Sequence, residues 1–96
     1  MATKPGGFPT SDTAILSRLI RPEDDNLPAE AAEALLVIRF DVRDLERMHE
    51  LAERKQEDRL TPAERSEVEN YRRVSFLLDL MHSKARRSLK KHRSVQ

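Results

Sequence analysis

Ninety-six residues, 36% of them charged and 4% aromatic with no tryptophan, describe one small domain with a thin aliphatic core. The absence of cysteine excludes disulfides, thiolate zinc sites and a thiol nucleophile. No apolar run approaches the ~20 residues that span a bilayer, and the N-terminus lacks the apolar stretch of a secretory signal, so the expectation is a soluble, cytoplasmic protein with no membrane partner. The net charge of +1 conceals an asymmetry: residues 84–96 hold Lys84, Arg86, Arg87, Lys90, Lys91 and Arg93 with no acid, or +6, leaving −5 for the rest.

Residues 1–10 hold both glycines and two of the five prolines without any periodicity, and read as a flexible tail. Ser11 or Asp12 caps a short helix through about Arg21, with Ile15, Leu16, Leu19 and Ile20 on one side, and Pro22 ends it. After a polar loop over residues 23–26, Leu27 and Pro28 open a second helix through roughly Arg39. Its buried face is Ala31, Ala34, Leu35, Val37 and Ile38, and Ala32 and Ala34 leave it narrow enough for close packing. The run 35–40 is also β-prone, so a short strand is the alternative there. Helix is preferred because no second β-rich run exists to pair with it.

Asp41 reads as a fresh N-cap, with Asp44 as a short-armed capping box. The helix that follows, to about Asp58, turns Val42, Leu45, Met48, Leu51 and Ala52 inward. Its charged outer face includes Glu50 and Arg54 as a well-oriented pair. Thr61, Pro62 and Glu64 then start the longest element: a hydroxyl cap, a proline at the first helical position and a carboxylate closing a capping box. Val68, Tyr71, Val74, Leu77, Leu78, Met81, Ala85 and Leu89 recur by threes and fours on one wide face, and no glycine or proline follows to stop the helix. Phe76 falls off that stripe, as a rim residue or because the helix is buried on two sides.

The expected architecture is all-α: three or four helices within residues 11–91, ending in an antiparallel helical hairpin with a long amphipathic C-terminal arm, followed by a flexible basic tail over 92–96. A helix over residues 61–89 would be about 43 Å long, whereas a compact chain of this size is roughly 32 Å across. The arm therefore projects or is covered by a partner. Leu78, Met81, Ala85 and Leu89 are the candidate partner interface; packing on the first two helices of the same chain is the alternative. Lys84, Arg86, Arg87, Lys90, Lys91 and Arg93 are candidate contacts to nucleic acid or to an acidic protein partner. Favourable interaction with the helix dipole explains a few of these charges.

Two spacings imitate metal sites. Glu46 with His49, and Asp79 with His82, each place a carboxylate and an imidazole three apart on one helix face, as in di-iron bundles. The second pair has the shorter aspartate, only Glu30 and Glu33 could supply further ligands, and a hairpin folded about Leu60 puts residue 49 opposite about residue 71. No metal or other cofactor is expected. His49 and Glu50 resemble the start of a zinc-protease helix, but Glu53 stands where its second histidine belongs. No glycine-rich phosphate loop, nucleophile–base arrangement or small-molecule substrate site is evident, so the chain reads as a non-enzyme.

Residues 60–71, with the pattern L-T-x-x-E-x-x-E-x-x-x-Y, and residues 77–86, closing on Lys84, Ala85 and Arg86, resemble a group of small helical bacterial proteins. The resemblance spans about residues 36–91. It implies an antitoxin-like or accessory role beside a nuclease-like neighbour and transfers no functional residue. The function expected is a non-catalytic protein–protein interaction module, paired with another protein or with itself as a homodimer; the alternative is nucleic-acid binding through the basic C-terminal segment.

Overall fold

The structure is a computed structural model and describes residues 7–94. It holds four helices and, among the described residues, no strand: α1 (Asp12–Ile20), α2 (Ala29–Leu36), α3 (Val42–Gln56) and α4 (Pro62–Ser94). The expected tail over 1–10 lies outside the described residues up to Lys4, Pro5 and Gly6; residues 7–10 are exposed and have no regular structure.

Each boundary follows from local chemistry. The Ser11 hydroxyl accepts from the Ala14 amide to start α1, and Arg21, at a left-handed φ of 54°, closes it by donating its amide to the Ser17 carbonyl. Pro28 starts α2, which stops at Leu36, short of the expected Arg39. The β-branched Val37 and Ile38 form neither helix nor strand; residues 38–41 are an irregular connector. Asp41 caps α3 by accepting from the Arg43 amide. Beyond Gln56, Asp58 adopts φ 57° and the Arg59 amide reaches back to the Arg54 carbonyl at 2.8 Å, a Schellman closure built without glycine. The capping box of α4 is reciprocal: the Thr61 amide donates to Glu64 and the Glu64 amide to the Thr61 hydroxyl, each at 3.1 Å. With no breaker after it, α4 runs 33 residues to Ser94 and takes in residues 92–94 of the expected tail; residues 95 and 96 of that tail lie outside the described residues.

α4 is the spine. Each of the other helices packs on it, and no two of α1, α2 and α3 are in contact. α1 lies along its middle, from Asp12 beside Arg73 to the Ile20 carbonyl beside Lys84. α2 packs on its C-terminal half, from Leu27 beside Ser88 and His92 to Ile38 beside His82. α3 meets its first half, with Asp44 at Tyr71, Arg47 at Glu67 and Arg54 at Glu64. That register places residue 49 near residue 66, about one turn from the position opposite 71 that folding about Leu60 would give. One layer of short helices along one long helix gives a thin body, 53 × 45 × 16 Å. Its radius of gyration is 17.5 Å, against roughly 12.5 Å for a compact domain of this length. The fully buried apolar side chains are correspondingly few: Ala32, Leu51 and Ala85.

Candidate interaction surface

The C-terminal half of α4 is engaged within the chain. Ala85 and Ser88 have no exposed surface, and fully buried Ala32 lies on α2, so small residues let the two helices approach closely; Ala34 is exposed. The Ser88 hydroxyl accepts from the Leu27 amide at 3.1 Å, and His82 and His92 donate Nε2–H to the Ile38 and Leu27 carbonyls. Of the four residues expected to form a partner interface, Ala85 has no surface to offer, and Leu78, Met81 and Leu89 are half-buried. α4 is covered on two sides, by α1 along Leu77 and Lys84 and by α2 along Ala85 and Ser88, and Phe76 is half-buried.

The basic segment is also partly engaged. Lys84 donates to the Ile20 carbonyl at 2.6 Å, closing the C-terminus of α1 with a cation where the helix dipole favours one. Lys91 pairs with Asp25 at 3.5 Å, and Glu23 and Asp25 of the loop between α1 and α2 line one shallow surface with Arg87, Lys90 and Lys91. Arg86, Arg87 and Arg93 are exposed and form no ion pair among the described residues. The acidic loop, separated from these lysines by some sixty residues of sequence, is an answer to the basic charge that a linear reading does not bring beside it.

α3 is fixed by polar groups that a helical wheel leaves on its outer face. Arg47 holds Glu67 in a fork of two 2.8 Å hydrogen bonds and Glu50 at 2.9 Å, while Arg54 pairs with buried Glu64 at 3.0 Å. The expected Glu50–Arg54 pair is thus replaced by two links to α4 and a shorter link from Arg47. The hydrogen bond to Arg47 holds Glu67 below the usual carboxylate range and raises the Arg47 guanidinium further. Asp44 caps nothing; it accepts from the Tyr71 hydroxyl at 2.7 Å, which pushes that phenol above its ordinary value. Phe40 meets the Tyr71 ring edge-on at 6.2 Å.

The imitated metal spacings stay apart. His49 lies 3.3 Å from Glu53 on α3 and His82 bonds a backbone carbonyl, and no group of three or more potential ligands gathers among the described residues. Nor, among those residues, is any helix long and apolar enough to cross a membrane.

Part of what remains open is apolar. Between α1 and α4 runs a groove of about 360 Å³ lined by Ile15, Leu16, Val74 and Leu77, with Asp12 and Arg73 at its rim 3.8 Å apart. Leu19 stands beside it 71% exposed. A second groove of about 340 Å³ opens between α3 and α4 over Met48, Leu51, Ala52, Val68 and Tyr71. Val37, Ile38, Val42 and Leu45 are exposed on the connector and on α3. The signal available for the first groove was the wide apolar face of α1, where Ile15, Leu19, Leu16 and Ile20 span about 140° of helix surface.

These features define a class: an all-α protein in which three short helices lie along one long helix and leave apolar grooves between them. Compared with protein-family models, curated proteins and solved structures, the chain matches none.

Proposed function

We propose that this protein is a non-catalytic protein–protein interaction module, an accessory or antitoxin-like subunit, that offers the apolar surface left along its long helix to a partner. One observation carries the reading. A compact monomer of 11.1 kDa exposes about 5,650 Å², whereas this chain exposes 7281 Å², an excess of roughly 1,600 Å². The open surface includes Ile15, Leu19, Val37, Ile38, Val42, Leu45 and Val74, apolar residues that a partner can cover. The contact centres on Ile15, Leu19 and Val74, with Val42 and Leu45 of α3 as a second strip; Leu78, Met81 and Leu89 contribute at the edge of α2.

The test is sedimentation of the labelled full-length chain in extract of the cells that make it. A species heavier than the monomer, lost when Leu19 and Leu45 are both changed to aspartate, supports the reading; an 11.1-kDa particle in extract overturns it. A second reading, phosphate contact through the basic segment, has the unpaired Arg86, Arg87 and Arg93 in its favour. It demands binding to nucleic acid that weakens steeply with added salt and survives the Leu19 and Leu45 changes.

A further inference from the structure

The groove between α1 and α4 differs from the other open surfaces in carrying both halves of a contact. Ile15 and Leu19, one turn apart on α1, form an exposed ridge, 40% and 71% exposed. Immediately beside them Val74 and Leu77 floor a slot bounded by Leu16. We infer that this patch seats a second copy of the same chain about a two-fold axis, the Ile15–Leu19 ridge of each copy lying in the Val74–Leu77 groove of the other. The inference rests on the interaction reading above and names its partner.

Two observations carry it. A two-fold interface sets one patch against itself, so the patch needs a projection and a recess of matching size side by side, and i to i+4 ridges packing into helix grooves are the usual way helices meet this need. The charge also fits self-pairing. A patch with net charge repels its own copy, but here the rim charges are Asp12 and Arg73, which already answer each other at 3.8 Å, and the lining is otherwise apolar. The groove between α3 and α4 lacks this combination, because Lys55 and Arg72 both line it and no acidic side chain does.

The experiment is sedimentation equilibrium of the purified full-length protein from low micromolar to near-millimolar concentration, beside Leu19→Asp, Ile15→Asp and Leu45→Asp. A dimer of twice 11.1 kDa is expected, with its dissociation constant raised at least tenfold by Leu19→Asp and by Ile15→Asp and unmoved by Leu45→Asp. Leu19 is exposed in the single chain, so its substitution leaves helical circular dichroism at the wild-type level and a loss of dimer cannot be ascribed to unfolding. A monomer over the whole range overturns the inference, as does a dimer indifferent to both α1 substitutions. If the purified protein is monomeric yet sediments as a heavier species in extract, the second copy is refuted and the interaction reading stands. A monomer in both refutes both.

Discussion

Replacing Leu51 with alanine should detach one helix and leave the other two in place. Leu51 is 2% exposed and, among the described residues, is the only large apolar side chain buried this completely. Buried leucine-to-alanine changes cost 2–5 kcal/mol, by lost transfer energy plus the hole left behind. Leu51 lines a groove already open to solvent, with flexible Met48 beside it, so the hole refills easily and the cost falls at about 2–3 kcal/mol. α3 touches neither α1 nor α2, so the loss is confined to its docking on α4. A 15-residue helix released from its packing is marginal in water, so α3 should fray as it detaches. Native-state hydrogen exchange is the assay. Amides of α3 should lose protection by a factor of roughly 30 to 150, while those of α1 and α2 change little. Fluorescence of Tyr71, the sole tyrosine, should report the same event. Equal loss of protection in all three short helices, or a change below about 0.5 kcal/mol at α3, would refute the reasoning.

Ser88→Ala leaves the Leu27 amide without an acceptor in a part-buried site and should cost about 1–2 kcal/mol in urea unfolding, adding to Leu51→Ala because the two share no partner. Asp58→Gly relieves a left-handed residue at the end of α3 and should stabilise by about 0.5–1 kcal/mol, read from the same titration. Tyr71 has a raised pKa in the fold, so its contribution is complete below the ordinary phenol value near 10 and is lost as pH climbs through the higher folded one. Tyrosinate absorbance should therefore rise late, and Asp44→Asn should bring the transition back toward the ordinary value. Glu67 has the opposite sign. Its depressed pKa means a contribution present above the usual carboxylate range and lost as pH falls through the lower folded value. Acid should loosen α3 before α2, as followed by Tyr71 fluorescence, and Glu67→Gln should flatten that dependence.

Local signals in this sequence were legible where the chemistry that decides them is adjacent in the chain. Thr61 and Glu64 satisfy each other's amides three residues apart, and Ser11 and Asp41 cap as their side chains predict, so the helix starts could be read directly. The end of α2 could not, because Leu35 through Phe40 suits helix and strand equally and the connector is set by where Phe40 finds the Tyr71 ring. Asp44 looked like a cap residue, but a phenol from α4 claims it. The candidate surface was displaced for a similar reason. Periodicity identifies the apolar face of α4 and says nothing of how much of it α2 will cover, and so Ala85 could not be told from a residue left open. On α1 the breadth of the apolar face was visible; that α1 would have only α4 for a neighbour was not.

Because α1, α2 and α3 pack only on α4, the order of synthesis matters. α1, α2 and α3 leave the ribosome before the helix they pack on: the groups that receive them, from Glu64 and Glu67 to Ser88 and His92, follow them in the chain. Here Leu16, Ile20, Ala32 and Leu51 stay exposed until the spine emerges, and then dock together. A pause in translation while α4 is being made would leave α1, α2 and α3 unpacked and open to proteases and chaperones, with the fold one helix away.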